Sequence, residues 1–213
     1  MRVSLTAGLL ALTMTSALAC AAACAGEGDA SAGAPLYAPC SACHGAGGEG
    51  NAALRAPRLQ GLAPWYVVRQ LKNFKDGLRG ADERDTYGAQ MRPMAMTLKN
   101  DTAIADVAAH VVTLTTAEPA AATVEGNLAS GKAAYAVCAA CHGARGEGNE
   151  VLNAPRLAGQ ADWYLATQLK NFKAGVRGKH KQDAPGAQMW PMAMTLATDE
   201  AIADVVAYIA TLR

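Results

Sequence analysis

Two cysteines three positions apart, with a histidine directly after the second, occur twice in the chain. They are Cys40-Ser41-Ala42-Cys43-His44 and Cys138-Ala139-Ala140-Cys141-His142. On a helical turn the positions i, i+3 and i+4 share one face, so each motif presents two thiols and an imidazole to the same side. That set suits covalent capture of a haem: the sulfurs bond its two vinyl groups while the imidazole ligates its iron. The pattern predicts two covalently bound haem c groups, held by Cys40 and Cys43 and by Cys138 and Cys141, with His44 and His142 as proximal iron ligands. Other chemistries fit poorly. Zinc would need two further Cys or His at ligand spacing in each repeat, and the sequence offers none. A thioredoxin-like motif needs a βαβ setting, and strand signals are nearly absent. A disulfide across two intervening residues would be strained.

The second axial ligand is a narrower question. Two histidines remain, His110 and His180. His110 aligns with Tyr208 in the second motif's repeat, and His180 aligns with Asp82, so neither is common to both. The shared candidates are thioethers: Met91, Met94 and Met96 in one repeat, Met189, Met192 and Met194 in the other. A His/Met pair raises the potential of a haem and closes its coordination sphere, which suits electron transfer.

The elements that must position these groups also come in duplicate. An offset of 98 residues superposes the two motifs, and it also aligns Ala56-Pro57-Arg58-Leu59 with Ala154-Pro155-Arg156-Leu157. Gly88-Ala89-Gln90-Met91 falls on Gly186-Ala187-Gln188-Met189, and from the first motif onward the halves are about two thirds identical without a gap. A period this long indicates a duplicated domain. The predicted division is residues 26–114 and 127–213, joined by a linker over 115–126. The predicted class is all-α. A short helix carries each cysteine motif, and Trp65 to Phe74 and Trp163 to Phe172 form a middle helix ended by Gly77 or Gly175. The last helix starts after Asn100 or Thr198 as N-cap. It shows apolar residues at helical spacing: Ile104, Val107, Val111 and Leu114, then Ile202, Val205, Ile209 and Leu212. Pro35 and Pro39 predict a short or distorted first helix in the N-terminal copy. Gly and Pro, the Gly-Ala-Gln-Met stretches included, are expected in loops.

Composition sets outer bounds. The formal net charge is +1 and aromatics make up 5%, so no basic excess points to nucleic acid. Domains of this size bury little apolar surface unaided, and a bulky cofactor would compensate. Residues 1–25 read as a signal peptide. Arg2 is a minimal n-region, Ala7 to Leu18 an apolar run, and Ala17-Leu18-Ala19 a small-x-small cleavage site, so cleavage is placed within 19–25. Cys20 occupies a lipoprotein-like position, but Ala17 stands where such a site carries Leu; the reading favours a leader cysteine without lipid. The expected location is the periplasm.

Taken together, these residues resemble the tandem dihaem class I cytochromes c, most closely the cytochrome c4 group. The resemblance rests on both C-x-x-C-H motifs, the Ala-Pro-x-Leu stretches, the Gly-Ala-Gln-Met segments and the acidic-capped last helices. It implies that each domain is a few short helices wrapped around a covalent haem. In that family the ligand methionine lies seven residues before the Leu that leads into the last helix. That implies Met91 and Met189, leaving Met94, Met96, Met192 and Met194 as pocket packing. The resemblance also implies that the carbonyls of Pro57 and Pro155 accept a hydrogen bond from the proximal imidazole. Gly33 with Tyr37 and Gly131 with Tyr135 match the positions where the first helix crosses the last. Arg58 and Arg156 are candidates to pair with haem propionates.

The implied function is one-electron transport in a periplasmic respiratory chain. The electrons would pass from a quinol-oxidising bc-type complex to a terminal oxidase, or through a dehydrogenase or oxidase complex with this chain as its haem-bearing subunit. Two closed haems exclude a substrate-binding open iron, so no catalytic residue is expected. Neither half has a lysine ring for strong electrostatic steering. The expected state is a monomer, with peripheral membrane association at most. Arg92 faces Trp190 across the repeat, and a cation beside one haem with an indole beside the other predicts two unequal potentials.

Overall fold

The computed structural model describes residues 28–115 and 118–212. The expected leader, with Cys20 and Cys24, lies outside them. Among the described residues the elements are helices, and the only β pairing is two isolated bridges, Asn51 with Ala56 and Asn149 with Ala154. The N-terminal half contains α1 (Ala30–His44), α2 (Pro64–Lys75), α3 (Thr86–Met96) and α4 (Asp101–Thr113). The C-terminal half contains α5 (Leu128–His142), α6 (Asp162–Lys173), α7 (Ala184–Ala187), α8 (Met189–Met194) and α9 (Asp199–Ile209).

The first and last helices of each half cross closely, and glycine makes the approach. A Cβ at Gly33 would lie 2.0 Å from the Asp106 carbonyl oxygen, and one at Gly131 would lie 2.0 Å from that of Asp204. The crossing is tied at its end by Asp106 Oδ1, which accepts from the Asp29 N–H at 2.8 Å, while Asp204 Oδ1 accepts from Asn127 at 2.7 Å. Tyr37 is buried there against His110, ring centroids 5.3 Å apart, and Tyr135 against Tyr208 at 5.5 Å. Beneath the crossing sit the expected core residues of the last helix. Ile104, Val107 and Val111, and their counterparts Ile202, Val205 and Ile209, are all buried.

Two expectations about helices need correction. The helix α1 is not short: it runs 15 residues, the same as α5. Proline removes a backbone donor, but Pro35 and Pro39 stand four apart on the exposed face, where the carbonyls they orphan can reach water. The buried face, anchored by Gly33 and Tyr37, keeps the helix continuous. The Gly-Ala-Gln-Met stretches are helical too. Asp85 caps α3 by accepting from the Gly88 N–H at 3.1 Å, and Asp183 caps α7 through Gly186 at 3.1 Å. A cap three residues before the glycine overrides its poor propensity. The break between α7 and α8 is slight, since Gln188 keeps helical angles, φ −64° and ψ −26°.

The two halves meet through a reciprocal polar ring. Arg79 donates to Gln70 Oε1 in its own half at 2.8 Å, and across the interface to the Tyr164 hydroxyl at 2.8 Å and Gln168 Oε1 at 3.0 Å. Arg177 repeats the pattern: to Gln168 Oε1 at 2.7 Å, then across to the Tyr66 hydroxyl at 3.2 Å and Gln70 Oε1 at 2.9 Å. Each guanidinium stacks on a phenylalanine of its own half, Arg79 at 4.5 Å from Phe74 and Arg177 at 4.6 Å from Phe172. Around the ring, Asn73 reaches Asp183 and Asn171 reaches Asp85, each at 3.3 Å. The segment joining the halves is held by buried Asp162, which accepts from the backbone N–H groups of Thr123 and Val124.

Candidate haem sites

Each cysteine motif forms the last turns of α1 or α5, with the histidine as the final helical residue. The chain then leaves through Gly45 or Gly143, at φ 82° and 83°, a region open to glycine and costly for other residues. It folds back beneath the histidine. The Gly50 N–H donates to the His44 carbonyl at 2.8 Å, and the Asn51–Ala56 bridge closes the loop, with Arg55 left-handed at φ 54°. This return places the Pro57 carbonyl 2.8 Å from His44 Nδ1, and its counterpart places the Pro155 carbonyl 2.7 Å from His142 Nδ1. Only an Nδ1–H can serve a carbonyl, so Nε2 keeps its lone pair. Burial pushes both imidazoles below their ordinary pKa, against the opposing pull of the proline carbonyl. The outcome is a neutral, oriented imidazole with one free lone pair, which is what a metal ligand must be.

The thiols accompany it. Cys40 and Cys138 are half-buried, Cys43 and Cys141 exposed, and all four are free. Burial pushes the Cys40 and Cys138 thiols up, favouring the protonated form. Among the described residues no cluster of three or more His, Cys, Asp or Glu could hold a metal by itself.

The methionines lie on α3 and α8. Met91 is half-buried and packs against the N-terminal core, and Met94 is half-buried as well. Met96 is exposed. Met189 is half-buried, whereas Met192 and Met194 are exposed. His110 is occupied against Tyr37, and His180 is exposed.

Arg58 and Arg156, expected near the propionates, also make contacts within the protein. The Arg58 guanidinium donates to Gln60, while its backbone pairs with the Gln160 amide in both directions at 3.1 and 2.8 Å. Arg156 Nε donates to the Ala158 carbonyl at 3.0 Å. Arg79 and Arg177 are buried, each with an Nε that has no hydrogen-bond partner and neither in an ion pair among the described residues. Two such guanidiniums fit a group that brings carboxylates. Sequence reading passed over them because an arginine in a loop after a helix usually faces solvent. Their repetition at the 98-residue offset, behind identical Gln and Phe residues, was the available signal.

The cytochrome c family model matches residues 30–115 and again residues 128–213. The chain belongs to the cytochrome c family, in its tandem, c4-like form. This dihaem cytochrome is 38% identical to cytochrome c4 of Azotobacter vinelandii over 163 residues, which is 70% of this chain and 75% of that one. It is 36% identical over 154 residues to a thiosulfate dehydrogenase electron acceptor of Thiomonas intermedia, 67% of this chain and 66% of that one. The crystal structure of reduced recombinant cytochrome c4 from Pseudomonas stutzeri superposes with a TM-score of 0.69 at 29% identity, covering 87% of this chain and all of that one. The dihaem cytochrome carries two covalently bound haem c groups and works as an electron carrier.

Proposed function

We propose that the protein passes single electrons between exported redox partners through two closed haems. The observation that carries this reading is the duplicated helix end, where an imidazole held by a proline carbonyl at 2.8 or 2.7 Å stands beside two free thiols. In it Cys40, Cys43, Cys138 and Cys141 attach the haems, and His44 with Met91 and His142 with Met189 ligate the irons. The carbonyls of Pro57 and Pro155 orient the imidazoles. The haem supplies an iron that cycles between ferrous and ferric states. The polypeptide holds it in place, keeps water from it and keeps the sixth position closed, so neither haem acts on a substrate. The division into a leader over 1–25, domains over 26–114 and 127–213, and a linker over 115–126 belongs to the same reading.

Among the described residues no helix is long and apolar enough to cross a membrane. We place the mature chain in the periplasm as a monomer, touching the membrane at most peripherally. Its donor would be a bc-type complex and its acceptor a terminal oxidase. A second donor class is favoured by one observation: a relative of this chain is named as an electron acceptor of thiosulfate dehydrogenase, so a periplasmic dehydrogenase is also a proposed donor.

Met91→Leu and Met189→Leu test the ligation. In the purified dihaem protein each should abolish half of the near-infrared iron–sulfur charge-transfer band and lower one midpoint potential. A band left whole in both variants would assign the sixth position elsewhere, and a high-spin haem in the parent would reopen the question of catalysis.

A further inference from the structure

The repeats differ at two positions that face one another around a single glycine. In the N-terminal domain Arg92 reaches back from α3 over Gly77, the left-handed residue (φ 74°) that follows α2; a Cβ built there would meet Arg92 Nη2 at 3.4 Å and the Ala81 Cβ at 4.0 Å. In the C-terminal domain the counterpart of Arg92 is Trp190 and that of Ala81 is Lys179. Lys179 lies over Gly175, the counterpart of Gly77, where a Cβ would meet its Cε at 2.5 Å and its Nζ at 2.9 Å. Its ammonium is 5.4 Å from the centre of the Trp190 ring. A cation therefore covers the same glycine in both domains, supplied from opposite sides. Where the helix gives the charge, the loop position shrinks to alanine; where the loop gives it, the helix position becomes the indole on which the cation rests. The expected contrast of a cation in one domain with an indole in the other is thus replaced by a cation in each.

We propose that Arg92 and Lys179 are equivalent charges that each raise the reduction potential of their own domain's haem iron. The proposal rests on the reading of one His/Met haem per domain. Arg92 directly follows Met91, and Lys179 rests on the residue that directly follows Met189. Oxidation adds a positive charge at the iron, so a nearby fixed cation disfavours the ferric state. Neither residue enters an ion pair among the described residues, so neither charge is neutralised by a close carboxylate. Their exposures differ. Arg92 is half-buried, with a buried Nε that lacks a hydrogen-bond partner, whereas Lys179 is exposed. Solvent and salt screen the second more strongly, so the N-terminal haem feels the larger effect.

The test measures both midpoint potentials by spectroelectrochemistry on the purified dihaem protein, with haem stoichiometry and the near-infrared Met-ligation band recorded on each sample. Arg92→Gln should lower one potential, and Lys179→Gln should lower the other by less. The pair Ala81→Lys with Arg92→Trp, which installs the C-terminal arrangement in the N-terminal domain, should restore most of what Arg92→Gln removes. Because Lys179 is exposed, K179Q carries the test even where R92Q fails to load haem. Unchanged potentials in variants that keep both haems and the band would overturn the proposal. So would an A81K/R92W protein shifted as far as R92Q, since that marks loss of the arginine's packing and not of its charge. A parent protein lacking two Met-ligated haems overturns the underlying reading, and is recognised by stoichiometry and band before any variant is made.

Discussion

Asp162 shows how one carboxylate joins parts of the chain far apart in sequence. Its counterpart in the first half is Pro64, which starts α2 with no N–H to satisfy. Asp162 starts α6 and at 3% exposure collects the N–H groups of Val124, Thr123 and Trp163 and the Thr123 hydroxyl. Burial alone would raise its pKa, but these donors outweigh burial and hold it below the ordinary value of 3.8. A depressed pKa stabilises the fold above the unfolded value and is lost as pH falls through the folded one. Asp162→Asn should therefore cost about 2 kcal/mol at neutral pH, a magnitude usual for hydrogen bonds to a charged acceptor. In urea titrations the gap between parent and variant should close as the pH drops below 3.8. At this scale the sequence was most legible where chemistry is carried by residue type. Cys, Cys and His at helical spacing announce their partner, whereas a carboxylate that pins a linker looks like any other N-terminal aspartate.

Helices were legible in proportion to how much of their signal is local. The last helix of each half declares itself through a capping side chain and a regular apolar stripe. Gly33 with Tyr37 also reads correctly, and the reason is now metric: a methyl group at Gly33 would press to 2.0 Å of the Asp106 carbonyl. Gly33→Ala must drive α1 from α4, and a loss of about 3 kcal/mol is expected from overpacking of this severity. Gly131→Ala should cost the same in the other half, and thermal unfolding of the two variants measures both. The helix α3 was missed because Gly88 and Pro93 both count against a helix, and the Asp85 cap that rescues it sits before the segment. The length of α1 was misjudged for a related reason. Proline harms a helix through the carbonyl it orphans, and sequence does not tell which face that carbonyl takes.

Across the whole molecule the halves depend on two buried arginines and two shared glutamine oxygens. Burial would raise the Tyr66 phenol, but Arg177, Arg79 and Arg69 outweigh it and hold its pKa below the ordinary value, so the tyrosine remains a ready acceptor in the ring. Arg177→Ala removes three of the hydrogen bonds that close the ring and leaves Tyr66 and both glutamines short of donors. Loss of about 3 kcal/mol is expected, and calorimetry should resolve one cooperative transition into two as the domains unfold separately. None of this was foreseeable from either half alone. The interface residues are ordinary polar side chains on helices and loops, and only the fold brings Gln70 within reach of Arg177.

The ring also bears on how such a chain could arise. Tyr66, Gln70, Asn73, Arg79 and Asp85 are each matched by the identical residue 98 positions on, and the bonds run reciprocally between the two sets. That is the arrangement of an isologous homodimer, in which one patch is its own complement. A single-haem ancestor bearing this patch would already have paired with itself. Gene duplication with a tether would make such an encounter permanent, and one-sided contacts such as Gln160 with the Arg58 backbone would be additions to the shared ring.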